Sequence, residues 1–227
     1  MRHTSESALP TQSKSRTASI RLTSAIHLCS GDTVGAFVEH ARGFDDKPSF
    51  IRKGLRAAET DATRWVADKI RDIAVLCETL CFADRPLILP IPACALTDAH
   101  LLDAVTKSIS QTRLCHQEIS FELPDAALAT AGQHVYDFIS TFRKNGFRVS
   151  IDARKSWISE FSGHTWLMID TLRINAAEID VDSDLEIMIE TARSAGVAIV
   201  AEKPFWRDGD YLASIGIDYG LKPRADA

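Results

Sequence analysis

The sequence predicts an α/β fold with a parallel sheet or barrel, and most of the signal lies between Phe121 and Asn175. Phe147–Ile151 alternates in polarity and is rich in β-branched residues, which favours a strand. Asn145-Gly146 just before it is typical of a helix end. Leu167–Ile169 and Leu172–Ile174 are short apolar runs that also indicate strands. Strands that alternate with helices in this way are typical of a parallel sheet or barrel.

Acidic or polar residues stand where these predicted strands end. Glu122 ends a short run after Phe121 that we also expect to be a strand, Asp152 follows Phe147–Ile151, and Arg173 with Asn175 stands at the end of Leu172–Ile174. In barrels of this class, functional groups gather at the carboxyl ends of the strands. We therefore expect Glu122, Asp152 and Arg173 to point into one mouth.

The length of 227 residues suits one (β/α)8 barrel, predicted for residues 19–224, after a disordered N-terminal tail over residues 1–18. The tail is rich in Ser, Thr and basic residues and has no periodicity. A net charge of −5 argues against nucleic-acid binding. No apolar run approaches the roughly 18 residues of a membrane span, and no signal-peptide pattern opens the chain. These features predict a cytoplasmic protein without a membrane partner.

The remaining elements follow from local patterns along the chain. Ile20–Leu28 and Thr33–Val38 flank the turn residues Ser30-Gly31-Asp32, so the barrel is expected to begin with a β-hairpin. Asp45–Phe82 carries apolar residues at helical spacing, which predicts a long helix. Further patterns predict strands at Arg85–Pro92 and Val197–Ala201, and helices at Thr97–Gln111, Asp125–Phe142, Asp182–Ser194 and Tyr211–Ile215.

Four polar residues recur in the order and spacing of a known family. Glu122 stands for the first acid of E-x-T-E, Asp152 for the first of D-D-F-G, Arg173 for the Lys of K-x-D, and Glu202 for the first Glu of A-E-G-V-E. Asp152 and Arg173 lie 21 positions apart, as in that family. From Ile20 to Pro223 the chain thereby resembles the EAL domain, the cyclic-di-GMP phosphodiesterase barrel of bacterial signalling. The resemblance implies a TIM-like barrel of EAL type.

The same resemblance implies that the catalytic motifs have degenerated. Arg42 falls one position beyond the family's substrate-binding Arg and is a candidate ligand contact. Proline offers no side-chain oxygen to a metal ion, and alanine and phenylalanine offer none either. Six family positions have lost their original side chain: Phe37 replaces a metal-binding Glu, Pro90 a metal-ligating Asn, Ala153 the second Asp of D-D-F-G, Asn175 the Asp of K-x-D, Phe205 the second Glu of A-E-G-V-E, and Leu221 the Gln of Q-G.

These losses predict a catalytically inactive EAL-like domain that regulates signalling by binding another protein, since degenerate relatives work that way, some of them in motility control. A non-hydrolysing cyclic-di-GMP receptor is the alternative, disfavoured by the shifted Arg42 and the lost Gln. A residual phosphodiesterase is a third reading. No catalytic residue, cofactor or metal site is assigned, although a weak Mg²⁺ site at Glu122 and Asp152 stays open. We expect Arg173 to neutralise both of these acids in place of metal ions.

Overall fold

The computed structural model describes residues 20–40, 55–179, 183–202 and 209–221. Within these ranges, eight strands close a barrel in sequence order. The strands are β1 (Ile20–His27), β2 (Thr33–His40), β3 (Leu87–Pro90), β4 (Ile119–Pro124), β5 (Arg148–Asp152), β6 (Thr171–Asn175), β7 (Ala198–Glu202) and β8 (Tyr219–Leu221). The helices are α1 (Leu55–Leu80), α2 (Leu101–Ile109), α3 (Asp125–Ala131), α4 (Gln133–Lys144), α5 (Gly163–Trp166), α6 (Ser183–Ser194) and α7 (Gly209–Ser214).

The barrel begins with the hairpin of β1 and β2, as the sequence predicts. Gly31 adopts φ 77° in the turn and donates its N–H to the carbonyl oxygen of His27 at 2.9 Å. β1 also pairs antiparallel with β8, where Ala25 lies opposite Leu221. From β2 to β8, each strand pairs parallel to the next. One reversed strand therefore closes an otherwise parallel barrel.

Alternate residues of each strand serve two different environments. Phe121 of β4 packs edge-on against Phe142 of α4, with ring centroids 5.1 Å apart, so this face lies against the helices. Ser120 on the opposite face bonds Ser150 of β5 at 2.7 Å, with both residues fully buried. The period of two thus puts an apolar layer outside the barrel and a partly polar one inside it. The interior layer holds the candidate site.

The long α1 confirms the predicted helical stripe. Ala62, Val66, Ile70 and Ile73 are fully buried and belong to the main core. Their spacing of three or four residues places them on the helix face that covers the barrel. The part of this predicted helix before Leu55, the N-terminal tail and the residues after Leu221 lie outside the described residues.

Three sequence-based predictions of local structure were wrong. The single helix expected over Asp125–Phe142 is divided into α3 and α4 at Gly132, where φ is 55° and ψ is −130°. Leu167–Ile169 is not a strand, because the short α5 occupies the connection and Leu167 at its end is 67% exposed. The helix expected from Thr97 begins at Leu101, after a 3-10 turn over Ala93–Thr97. Within the described ranges, none of the helices has the length and apolar character needed to cross a membrane.

Candidate functional site

Four charged side chains meet at the carboxyl ends of the central strands. Glu122 belongs to β4, Asp152 to β5, Arg173 to β6 and Glu202 to β7. The parallel register sets Asp152 beside Arg173, and all four residues lie at the same end of the barrel. The prediction that Glu122, Asp152 and Arg173 share one mouth is confirmed. Glu122 and Arg173 are buried, with exposures of 1% and 4%, whereas Asp152 and Glu202 are partly exposed.

Arg154, just beyond the end of β5, forms the strongest contacts of the mouth. Its Nε donates to Oδ1 of Asp152 at 2.8 Å and its Nη2 donates to Oδ2 at 2.7 Å, which is a bidentate fork. Its Nη1 donates to Oε2 of Glu202 at 2.8 Å. The backbone N–H of Arg154 also donates to Oδ1 of Asp152, at 3.1 Å. One guanidinium therefore joins the ends of β5 and β7 across β6.

Arg173 lies deeper in the mouth and has longer ion pairs. Its Nη1 is 3.5 Å from Oε2 of Glu122, and its Nη2 is 3.6 Å from Oε1 of Glu202. The guanidinium carbon lies 4.4 Å from the ring centroid of Phe37, close enough for a cation–π contact. The expectation that Arg173 neutralises both Glu122 and Asp152 is thus half right. Arg154 takes Asp152, because it follows that acid by two residues and can fold back onto it.

The two arginines leave the acids in different electrostatic states. Burial is the main cause that raises the pKa of Glu122 to about 7, and the negative charge of Asp152 adds to the rise while Arg173 opposes it. Neither carboxylate oxygen of Glu122 has a hydrogen-bond partner among the described residues. Burial acts to raise the pKa of Asp152 too, but the hydrogen bonds and charge of Arg154 outweigh it and hold that pKa below its ordinary value. Hydrogen bonding to Asp152 in turn raises the pKa of Arg154.

The comparison with known families decides what this barrel is. The family model described as EAL domain matches residues 48–203, more than half of the chain. The chain belongs to the EAL domain family. No curated protein sequence matches it.

Solved EAL structures share the fold at low sequence identity. The MucR phosphodiesterase, solved in a cyclic-di-GMP complex, is 17% identical with a TM-score of 0.65, and the match covers 89% of this chain and 87% of that one. The EAL domain of Mycobacterium smegmatis DcpA is 17% identical with a TM-score of 0.66, and the match covers 89% of both chains. Klebsiella pneumoniae BlrP1, solved with manganese and cyclic-di-GMP, is 14% identical with a TM-score of 0.70, and the match covers 94% of this chain. This chain spans only 56% of BlrP1 and 61% of the EAL enzyme Bd1971.

The positions that the sequence comparison predicts to have lost family side chains have mostly apolar surroundings. Phe37 and Leu221 pack with Ala25, Ile88 and Val200 into a small cluster inside the barrel. Ala153 is fully buried, and Pro90 ends β3 beside Glu122. Asn175 accepts the N–H of Ala177 and donates to Glu178, so its amide caps a local turn. Phe205 and Arg42 lie outside the described residues.

The EAL resemblance implies divalent cations at this mouth, but the residues present do not fit them. Magnesium and calcium ions need several free oxygen ligands around one point. Both oxygens of Asp152 and both oxygens of Glu202 face guanidinium N–H groups at 2.7–3.6 Å. Glu122 faces Arg173, and the described residues include no cluster of three His, Cys, Asp or Glu suited to a metal ion. A cation that took Asp152 or Glu202 as a ligand would have to displace an arginine.

A second buried acid fixes the connection between β5 and α5. Asp125, the first residue of α3, is fully buried. Its Oδ2 accepts the hydroxyl of Ser156 at 2.6 Å and the N–H of Ile158 at 2.8 Å, and its Oδ1 accepts the N–H of Ser159 at 3.1 Å. This segment, residues 153–161, is called the β5 loop below. The path of this loop is therefore fixed by the buried carboxylate of Asp125.

Sequence reasoning missed the roles of Arg154 and Asp125. Arg154 carried a weak signal, since an arginine two residues after a strand-end acid can bond back to that acid. Asp125 was visible as the last acid of the E-x-T-E segment, but its partners lie more than 30 positions away. Nothing local identifies the distant partners of Asp125, or Glu202 as the second partner of Arg154.

The β5 loop and α6 enclose a groove of about 780 Å³ at the surface. Ile158 on the loop is 66% exposed and Ile187 on α6 is 62% exposed. The side chains that line the groove are mixed but include several aromatic and aliphatic ones: Trp157, Ile158, Phe161, Trp166, Ile187 and Met188. Large exposed apolar side chains that face one groove are typical of contact surfaces.

Proposed function

We propose that this chain is a catalytically inactive EAL domain that acts in bacterial signalling by binding another protein. Inactivity is supported by the pairing of the acids in the barrel mouth with Arg154 and Arg173. Two-metal phosphodiester hydrolysis requires carboxylates that hold cations and a water molecule activated between them. Here those carboxylates are neutralised internally, and the neighbouring positions Phe37, Pro90 and Ala153 supply no further oxygen side chains.

Inactivity is tested by incubating the purified protein with cyclic-di-GMP and Mg²⁺ or Mn²⁺ while following the linear dinucleotide product by chromatography. The MucR phosphodiesterase serves as the positive control, since it is an EAL phosphodiesterase of known fold. We expect no product above the protein-free blank. Turnover that scales with protein concentration and stops on Glu122→Gln would make the chain a residual phosphodiesterase, the third reading of the sequence.

A protein partner is supported by the groove between the β5 loop and α6. The described strands form a closed barrel, so no sheet edge is available for a partner strand. A groove beside a helix instead suits an amphipathic helix, whose apolar side chains would contact Ile158 and Ile187. We therefore propose a partner that presents an apolar helix face.

The partner proposal is tested with matched surface variants. Proteins captured by the wild type are compared with those captured by Ile158→Asp/Ile187→Asp and by Val75→Asp/Leu80→Asp, which changes two exposed apolar residues of α1. A specific partner should be lost from the groove variant and kept by the α1 variant. Equal retention by both variants would place the contact elsewhere, and equal loss would indicate a general effect on folding.

A non-hydrolysing cyclic-di-GMP receptor is the second candidate. It is favoured by the solved EAL relatives MucR and BlrP1, which are complexes with this dinucleotide. Calorimetric titration of the purified chain with cyclic-di-GMP, with and without Mg²⁺, separates the two. We expect no heat of binding, whereas micromolar or tighter binding would make the chain a receptor. A cytoplasmic location remains part of the proposal and is checked by cell fractionation.

A further inference from the structure

We propose that Arg154 is a built-in cation that fixes the β5 loop without any divalent metal ion. The role goes beyond the proposed function, because it concerns how the loop is held and would apply with or without a protein partner. Arg154 makes four hydrogen bonds, three to Asp152 and one to Glu202, all between 2.7 and 3.1 Å. The second residue of the loop is thereby tied to the ends of two strands.

The charge arrangement explains why a positive group is needed at this point. Asp152 and Glu202 project from β5 and β7, which flank β6. Two carboxylates that converge on one point repel each other unless a cation lies between them. Arg154 is three-quarters buried and offers a fork to one acid and a third N–H to the other. A guanidinium in this position neutralises the two carboxylates as a metal ion would. It also occupies the space between them in which a metal ion would bind.

A second anchor turns this local contact into control of the whole loop. Asp125 accepts hydrogen bonds from Ser156, Ile158 and Ser159, a few residues beyond Arg154. The segment from residue 154 to residue 159 is therefore held at both ends by buried or half-buried ion and hydrogen-bond contacts. The same loop supplies Trp157 and Ile158 to the groove wall. Loss of the Arg154 anchor should free the first end of this wall. Loosening that spreads along the loop to the Asp125 anchor should appear as faster exchange of the N–H groups of Ile158 and Ser159.

The test uses hydrogen–deuterium exchange and thermal unfolding of the full chain in EDTA and in millimolar Mg²⁺, Mn²⁺ or Ca²⁺. For the wild type we expect slow exchange at Ile158 and Ser159 and the same melting temperature in every buffer. For Arg154→Ala we expect exchange about tenfold faster in EDTA, which corresponds to ~1.4 kcal/mol. The freed Asp152 and Glu202 should then bind a cation, which slows exchange and raises the melting temperature by about 3 °C.

Three further variants keep the result interpretable. Arg113→Ala removes an exposed arginine whose side chain is 89% accessible, and it should match the wild type. Arg154→Lys keeps the charge without the fork, so it should exchange faster than the wild type, and it replaces Arg154→Ala in the comparison if that variant does not fold. Asp152→Asn in the Arg154→Ala background should abolish the response to cations. The proposal is overturned if Arg154→Ala exchanges like the wild type, or if cations stabilise the wild type as much as they stabilise Arg154→Ala.

Discussion

Glu122→Gln should change how the stability of this EAL domain depends on pH. The carboxyl group is fully buried, and its pKa rises from an ordinary value of 4.5 to about 7 in the folded chain. Between those two values the folded state binds more protons than the unfolded state. The free energy of unfolding therefore falls as pH rises from about 4.5 to about 7, and the full penalty is present above pH 7.

The size of the penalty follows from the shift. A difference of one in pKa corresponds to ~1.4 kcal/mol, so the rise from 4.5 to about 7 costs the folded state about 3 kcal/mol once Glu122 is ionised. Glutamine keeps the shape of the side chain and carries no titrating proton. Arg173 retains Glu202 as a partner at 3.6 Å, so the variant should still fold. Glu122→Gln is expected to be about as stable as the wild type near pH 5 and up to about 3 kcal/mol more stable near pH 8.

Urea denaturation at several values of pH between about 5 and 8 measures this difference. The titratable groups other than Glu122 are common to both proteins, so their contributions cancel in the comparison. Asp152 is also no complication, because its pKa is lowered and its contribution changes only in more acidic solution. Glu186→Gln, at an exposed position of α6, should follow the wild type. A stability difference between wild type and Glu122→Gln that stays constant across the window would refute the reasoning.

Three other substitutions test the packing around the site, each by urea denaturation. Asp125→Ala removes the acceptor for three groups of the β5 loop. We expect it to lower the free energy of unfolding by about 3 kcal/mol and to speed proteolysis in the loop. Unchanged proteolysis would contradict the anchoring role. Phe37→Ala should lower the free energy of unfolding by about 3–5 kcal/mol, since the ring is fully buried and covers Arg173. A loss below ~1 kcal/mol would mean that neighbouring side chains fill the space left by the ring. Gly35→Ala should lower the free energy of unfolding by about 2 kcal/mol, because φ is 147° and the added carbon would lie 2.8 Å from the carbonyl oxygen of Pro86. A neutral effect would show that the hairpin can shift.

The sequence was sufficient for elements whose pattern is set by burial on one face. The hairpin at Gly31 and the stripe of α1 were predictable because turn chemistry and helical spacing are local signals. Leu167–Ile169 shows the limit of such signals. A run of three apolar residues has no period, and here α5 takes the place expected for a strand. Gly132 shows another limit, since one glycine within a helical pattern does not reveal that the chain turns there.

The candidate site was predictable in position but not in pairing. Strand order alone brings Glu122, Asp152 and Arg173 to one end of the barrel. Which arginine meets which acid depends on side-chain reach in three dimensions. Arg154 follows Asp152 in sequence and yet also contacts Glu202, 48 positions away. The acids at this end of the barrel predicted a neutralising cation, but only the structure shows that Arg154 of the β5 loop is one.

The charged mouth also constrains how this sequence can change over time. Arg154 pairs with both Asp152 and Glu202, so its loss would leave the half-buried Asp152 without its ion-pair partner. Such losses are compensated most readily by a second change at the partner position, which makes the effects of the two substitutions non-additive. Among close relatives, the residue at position 154 should therefore vary together with those at positions 152 and 202. In an alignment of such relatives, substitutions at these three positions should be correlated rather than independent.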